Sequence, residues 1–134
     1  MIGNVNIGAD DPAKSQLFYD AILLPLGYEV TVWEDGAEYV HASEPLAVDI
    51  YITRPFNNQP ATVGNGSMIA FQAPHQADVR ELHAAALNAG GTDEGAPGFR
   101  PKYSPEFYVG YLRDPQGNKI AIFSANPDEP GRDD

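Results

Sequence analysis

The chain has 134 residues, no cysteine and a formal net charge of −11 at pH 7. Its length suits a single domain, and its hydrophobic content of 43% is enough to fill one core. The lack of cysteine excludes disulfides and thiolate chemistry, and the acidic charge argues against non-specific nucleic-acid binding, which needs Lys and Arg to neutralise phosphates.

The sequence also shows no targeting or membrane segment. The start, MIGN, has neither the basic region nor the apolar region of a secretory signal. No uninterrupted apolar run approaches the length of about 18 residues that marks a membrane helix. We therefore expect a cytoplasmic protein with no membrane partner.

The first half of the chain predicts one strand, one helix and three further strands. Residues 4–7 alternate polar and apolar side chains, as strands do. Asp11 is suited to cap a helix that has Pro12 in its first turn and ends near Gly27. Residues 34–36, Glu-Asp-Gly, predict a hairpin turn. The three strands are expected at 28–33, 37–42 and 47–53.

The second half repeats this order after a linker at 56–65, where Pro, Gly and Asn are frequent. A strand at 67–72 leads into a helix that ends at Gly90, where glycine permits a left-handed backbone. One face of this helix is apolar, with Val79, Leu82, Ala86 and Ala89 at helical spacing. Residues 93–105 predict a loop with one irregular strand. The offset between the halves is 64 residues both from Asn4 to Met68 and from Gly27 to Gly91 (68 − 4 and 91 − 27).

The stretch YVGYLRDPQGNKIAIF, residues 108–123, predicts two strands joined by a tight turn. Pro115 presets its own φ, Asp114 is able to bond back to the backbone, and Gly117 or Asn118 accepts a positive φ. We expect one domain over residues 1–126, with a first module at 1–55 and a second at 66–126. The acidic tail at 127–134 is expected to be disordered.

The order of these segments resembles the glyoxalase/bleomycin-resistance/dioxygenase superfamily, also called the vicinal oxygen chelate proteins. The resemblance rests on the DPxGN turn between two strands, on NVNIG followed by DDP, and on the repeated strand-helix-glycine pattern. It implies an α+β fold in which two βαβββ modules form a curved mixed sheet around a cleft, with both helices outside. Relatives commonly dimerise, which implies a symmetric homodimer.

Strand alternation predicts which side chains line that cleft. Val5, Ile50, Ile69 and Ile120 are expected to face the helices, so that their neighbours point inward. The expected ligand-binding residues are Asn4, Asn6, Tyr51, Met68, Gln72, Tyr108, Ala121 and Phe123.

The resemblance also implies where a metal would be held. In metal-using relatives four strands each contribute one ligand, and the corresponding positions here are Asn4, a position at or beside Asp49, Met68 and Ala121. One carboxylate and one amide are too few for a divalent ion. We therefore predict no metal site and no cofactor. The alternative is a shifted site for Zn, Ni, Mn or Fe built from Asp49, His41 and Asn4.

Two functions remain open at this stage. The first is a metal-independent protein that binds a small organic molecule, aromatic or amphipathic, between aromatic side chains. The second is a metal-dependent lyase, isomerase or dioxygenase, in which His41 and Asp49 are candidate acid/base residues. The neutral polar groups, together with Asp49 and the acidic net charge, predict an uncharged or cationic ligand. Lys119 is the one cation expected in the pocket.

Overall fold

The structure, a computed structural model, describes residues 1–133 and contains two βαβββ modules in one chain. The first module consists of β1 (Asn4–Gly8), α1 (Pro12–Leu23), β2 (Tyr28–Trp33), β3 (Gly36–His41) and β4 (Asp49–Thr53). The second consists of β5 (Ile69–Gln72), α2 (Gln76–Asn88), β6 (Thr92–Phe99), β7 (Tyr108–Arg113) and β8 (Lys119–Ser124). The predicted α+β class and element order are confirmed.

Each module forms its own four-stranded mixed sheet. The strand orders are β1-β4-β3-β2 in sheet one and β5-β8-β7-β6 in sheet two. The pairs β1–β4 and β5–β8 are parallel, and the other neighbours are antiparallel. Within residues 1–133 no backbone ladder joins the two sheets, so packing and side-chain hydrogen bonds connect the modules.

The helix boundaries follow from local chemistry. Asp11 precedes α1 and its Oδ1 accepts a hydrogen bond from the Lys14 amide at 3.2 Å. His75 precedes α2, and the Asp78 carboxylate accepts from the His75 amide at 3.1 Å. Gly90 follows α2 with φ of 101°, the left-handed conformation expected there. Neither helix of the described residues has the length and apolar composition required to span a bilayer.

The core lies between the helices and one face of each sheet. The two helices contribute the buried residues Phe18, Tyr19, Ile22, Leu23, Val79, Leu82 and Ala86. The strands contribute Ile50, Ile52, Ile120 and Ile122, and the partly buried Val5 and Ile69 pack against the same cluster. The predicted orientation of Val5, Ile69 and Ile120 toward the helices is therefore confirmed. The opposite side of each sheet is called its helix-free face below.

The C-terminal segment is packed against the second module. The Gln76 amide donates to Glu129 Oε1 at 2.9 Å, and Gln76 Nε2 donates to the Pro130 carbonyl at 2.9 Å. The Arg132 amide donates to the Pro105 carbonyl at 2.8 Å. These bonds correct the expectation of a disordered tail for residues 127–133, because three backbone or side-chain anchors hold it in place. Asp134, also part of that expectation, lies outside the described residues.

Candidate ligand-binding site

The helix-free face of sheet one is polar and hydrogen-bonded along β1 and β4. Asn4 and Asn6 on β1 pair in register with Asp49 and Tyr51 on β4. The Tyr51 phenol donates to Glu38 Oε2 at 2.6 Å, and Thr53 Oγ1 donates to Asn6 Oδ1 at 2.8 Å. Asn4, Asn6 and Tyr51 therefore share one face, as predicted from alternation.

The helix-free face of sheet two carries most of the other predicted residues. Alternation along β5 and β8, given that Phe71, Ile120 and Ile122 lie in the core, places the remaining side chains on this face. They are Met68, Ala70, Gln72, Lys119, Ala121 and Phe123. Met68 is 45% exposed, whereas Ala121 is 1% exposed. Ala121 thus lies at the covered centre of this face and Met68 at its open edge.

Tyr108 is the predicted residue that lies elsewhere. It pairs in register with the buried Ser124, so it shares the helix-side face of β7 and β8 with Ile122. Its phenol oxygen accepts from Arg80 Nη1 at 3.3 Å, and Arg80 belongs to α2. The prediction that Tyr108 lines the cleft is wrong, because this register turns its side chain to the helix side, where it belongs to the core.

An aromatic cluster covers sheet two on its helix-free face. The ring of Phe107 stacks on Phe123 with centroids 5.0 Å apart and planes at 25°. It also meets Tyr103 edge-on at 5.5 Å and 90°. Beside this cluster lies a cavity of about 330 Å³, called the aromatic pocket here. It is lined by Met68, Tyr103, Ser104, Phe107 and Tyr111.

A second cavity, of about 220 Å³, lies between the two modules and is called the polar pocket here. Asn6 and Gly8 come from β1, Met68 and Lys119 from the second module, and Thr62 from the segment between modules. Met68 lines both pockets, so the two cavities adjoin at its side chain. The segment predicted as a simple linker thus forms part of a wall, which no periodicity in its sequence indicates.

Tyr111 lines the aromatic pocket, and two cationic side chains, Arg100 and Lys119, lie near its ring. Lys119 Nζ lies 5.1 Å and Arg100 Cζ 5.6 Å from the centroid of its ring, both within cation–π range. Its hydroxyl donates to the Tyr103 hydroxyl at 3.3 Å. Burial, and then the hydrogen bond with Tyr103, raises the pKa of Tyr111 to about 12. The phenol is therefore neutral at physiological pH and acts as a hydrogen-bonding wall of the pocket.

The residues at the metal positions implied by the family resemblance do not fit a divalent ion. They supply an amide at Asn4, a carboxylate at Asp49, a thioether at Met68 and a methyl group at Ala121. Hard divalent ions need several oxygen or nitrogen donors, and a thioether suits softer ions. Lys119, whose register places it beside Met68, adds a positive charge that repels a cation. Among residues 1–133 no group of three or more His, Cys, Asp or Glu side chains is arranged to hold a metal.

The candidate acid/base pair is not brought together. The Nδ1 atom of His41 accepts from the amides of Ser43 at 3.2 Å and Glu44 at 3.0 Å, so its Nε2–H donates to the Leu26 carbonyl at 3.0 Å. Both ring nitrogens are thus held by backbone groups. His41 follows the core residue Tyr39 by two positions, which places it on the helix side, whereas Asp49 lies on the helix-free side.

The remaining histidines lie outside both pockets. His75 caps α2, and its Nδ1 is 3.1 Å from Asp78 Oδ2. His83 is 5% exposed within α2, and its Nε2 lies 3.1 Å from the Tyr111 carbonyl and 3.3 Å from Asp93 Oδ1. Both occupy positions that support the second module.

Comparison with solved structures assigns the fold to a family. A glyoxalase/bleomycin resistance protein from Albidiferax ferrireducens T118 superposes with a TM-score of 0.80 and is 39% identical, over 92% of this chain and 98% of that one. The chain belongs to the glyoxalase/bleomycin resistance/dioxygenase family. No protein-family model matches the sequence, and no curated protein matches it significantly.

Two solved structures of lower sequence identity share the fold. A family enzyme from Burkholderia phytofirmans PsJN has a TM-score of 0.71 at 20% identity, covering 92% of this chain and 97% of its own. A lactoylglutathione lyase from Agrobacterium tumefaciens has a TM-score of 0.64 at 19% identity, covering 92% of each chain. At these identities the likeness concerns the arrangement of the two modules alone.

Proposed function

We propose that the protein binds a small aromatic or amphipathic organic molecule without the help of a metal ion. The observation that carries this proposal is the aromatic pocket, in which Met68 and three aromatic rings surround about 330 Å³ on the helix-free face of sheet two. Ring faces and a flexible thioether form a surface on which flat organic molecules stack. The polar pocket beside it offers amide and hydroxyl groups that would orient such a ligand.

The geometry of the cluster supports binding rather than mere core packing. Tyr103 and Met68 both line the pocket, and each is 45% exposed. Phe107 is held from behind by its stacking on Phe123. A fixed ring with exposed apolar neighbours presents area that water covers until a ligand displaces it, and burial of this area would drive association.

The alternative of a metal-dependent enzyme receives no support from the residues of the shifted site. His41 presents its ring nitrogens to backbone groups on the helix side, and Asp49 and Asn4 lie on the other face. A lyase or dioxygenase mechanism of the kind used by metal-dependent relatives would need those groups to converge on one ion. The proposal therefore rests on stacking and polar orientation.

Calorimetric titration with a panel of two-ring aromatic compounds would test the proposal. We expect saturable binding whose Kd is the same with and without a chelator, and a Phe107→Ala variant that binds about three- to tenfold more weakly because ring stacking is lost. Phe56→Ala is the matched control, since Phe56 is fully exposed outside both pockets. Binding that requires an added divalent ion, or equal affinity of the Phe107→Ala variant, would contradict it.

A further inference from the structure

The polar pocket contains one charged side chain, and that side chain is a cation. Lys119 lines this pocket, and its Nζ lies 5.1 Å from the centroid of the Tyr111 ring, which lines the aromatic pocket. Among residues 1–133, those that line the two pockets include no aspartate or glutamate. In a chain with 19 acidic and 8 basic residues, this local excess of positive charge runs against the composition.

The two cationic side chains near Tyr111 are Arg100 and Lys119. Their contacts differ from those of the neighbouring Arg113, which forms an ion pair. Arg113 Nε is 2.7 Å from Glu94 Oε1, so its charge is neutralised. Among the described residues, the ion pairs include neither Lys119 nor Arg100. The Arg100 guanidinium donates to the Ala96 and Phe99 carbonyls at 2.8 and 3.3 Å, and Lys119 contacts the Tyr111 ring. Within residues 1–133, neither of these two positive charges thus has a carboxylate partner.

We propose that the ligand is an amphipathic aromatic anion, which places its ring in the aromatic pocket and its carboxylate or similar anionic group in the polar pocket beside Lys119. Met68 lines both pockets and its side chain is flexible, so we expect one molecule to reach past it from one pocket into the other. Neutral donors at Asn6, Thr62 and Ser67 line the same pocket and complete the hydrogen bonding of an anionic head. This inference rests on the proposed function and specifies the charge of its ligand.

The acidic net charge of the protein does not oppose this assignment at the site itself. Charges in solvent are screened beyond a Debye length of about 8 Å at physiological ionic strength. A half-buried ammonium in direct contact with the ligand acts within that distance. The inference reverses the sequence-based expectation of an uncharged or cationic ligand, which treated the whole-chain charge as the field in the pocket.

Three probes that share one ring system isolate the effect of charge. They are 2-naphthoate, 2-naphthalenemethanol and 2-naphthylmethylammonium, each titrated calorimetrically into the full-length protein. We expect the anion to bind about tenfold more tightly than the alcohol, and the cation to bind most weakly. Raising the NaCl concentration should weaken the naphthoate affinity more than the alcohol affinity.

Two substitutions at one position and one control assign the preference to Lys119. Lys119→Met should reduce the anion-to-alcohol affinity ratio to about one, and Lys119→Arg should retain it. Lys14→Met makes the same change in net charge on exposed helix surface and should keep the native ratio. Thermal melting of each variant checks that the fold is intact before titration.

The outcomes separate this inference from the function on which it rests. If the alcohol or the cation binds as tightly as naphthoate, or if Lys119→Met keeps the native ratio, the anionic assignment is overturned while aromatic binding stands. If none of the three probes binds to the native protein, both proposals fail. A selective loss of the naphthoate preference in Lys119→Met supports the assignment.

Discussion

The phenol of Tyr19 donates a hydrogen bond of 2.6 Å to Asp114 Oδ2, and so ties the first helix to a turn 95 residues later in the chain. Asp114 is 2% exposed, and its Oδ1 accepts from the amides of Gln116, Gly117 and Asn118, each at 2.9 Å. The Asn118 side chain in turn donates to the Gly8 carbonyl at 3.1 Å. The DPQGN turn therefore holds the two modules together through one buried carboxylate.

A Tyr19→Phe variant should lower the free energy of unfolding by about 1.5–3 kcal/mol, because a buried carboxylate loses a hydrogen-bond donor. Urea denaturation followed by circular dichroism would measure the change. Tyr51→Phe is the control, since it removes a phenol that donates to Glu38 on an exposed face and should leave the midpoint nearly unchanged. Equal losses of stability in the two variants would show that the hydrogen bond to Asp114 stabilises the fold no more than the exposed bond to Glu38.

Stability should fall at alkaline pH because two buried tyrosines resist ionisation. Burial, followed by the neighbouring Asp114, raises the pKa of Tyr19 well above its ordinary value. Burial, followed by its hydrogen bond to Asp20, raises the pKa of Tyr39. Both phenols stay protonated in the folded state at a pH where the unfolded chain loses these protons. The two phenols therefore contribute fully to the free energy of unfolding below about pH 10, which is the pKa of tyrosine in the unfolded chain. This contribution is lost as the pH rises above that value.

Urea titrations at pH 8, 10 and 11 would test this dependence. Above pH 10, Tyr19 alone should lower the free energy of unfolding by at most about 1.4 kcal/mol for each pH unit. The Tyr19→Phe variant should show a shallower loss over the same interval. A variant whose alkaline slope matches that of the native protein would contradict the assignment to Tyr19.

The double substitution Met68→His with Ala121→Glu should create affinity for Ni²⁺ or Zn²⁺. It restores two ligand types at positions that the family resemblance assigns to a metal, together with Asn4 and Asp49 of the first module. Because Ala121 is 1% exposed, the glutamate should lower the melting temperature without metal, and added metal should raise it again. Each single variant is the control and should respond weakly. No metal-dependent shift in the double variant would show that these four positions do not converge.

Phe123→Ala should weaken the binding of aromatic ligands by about 0.5–1.5 kcal/mol beyond the effect of the lost apolar contact area, since the ring of Phe123 stacks on that of Phe107. The sequence predicts a similar effect for Tyr51→Ala. The structure separates the two, because Tyr51 lies on sheet one with its phenol bonded to Glu38 and lines neither pocket. We therefore expect a clear loss for Phe123→Ala and a small one for Tyr51→Ala in calorimetric titrations. The reverse order would place the ligand on sheet one.

We propose that the protein forms a symmetric homodimer through exposed apolar side chains of sheet one. Trp33 is 42% exposed and Val40 is 42% exposed, and alternation places both on the helix-free face. Apolar surface of this kind favours association, and two-fold pairs are the commonest assemblies. Light scattering at micromolar concentration should give the mass of a dimer, and Trp33→Ala should shift it toward the monomer. A monomeric mass for the native protein would refute the proposal.

Local patterns in the sequence were enough to predict the elements of both modules. Proline at Pro12, glycine at Gly90 and the alternation of β1 and β4 act over a few residues, so they indicate helix ends and strand faces without any long-range contact. The prediction failed at Tyr108, because the face of this residue is decided by its pairing with Ser124 on β8, which a local pattern does not indicate. It also missed the anchored tail, since the partners of Glu129 and Arg132 lie 53 and 27 residues away, at Gln76 and Pro105 (129 − 76 and 132 − 105).

The sequence by itself determined the two repeated modules and the faces of most strands, because residue types and their spacing decide these properties. Tertiary structure alone decided which cationic side chains lie near the aromatic ring of Tyr111. Lys119 and Arg100 are both brought to Tyr111, and the pocket beside it is positive within an acidic chain. Composition sums charges over the whole molecule, whereas a ligand responds to those within a few ångströms, and only the packing of β6, β7 and β8 sets those distances.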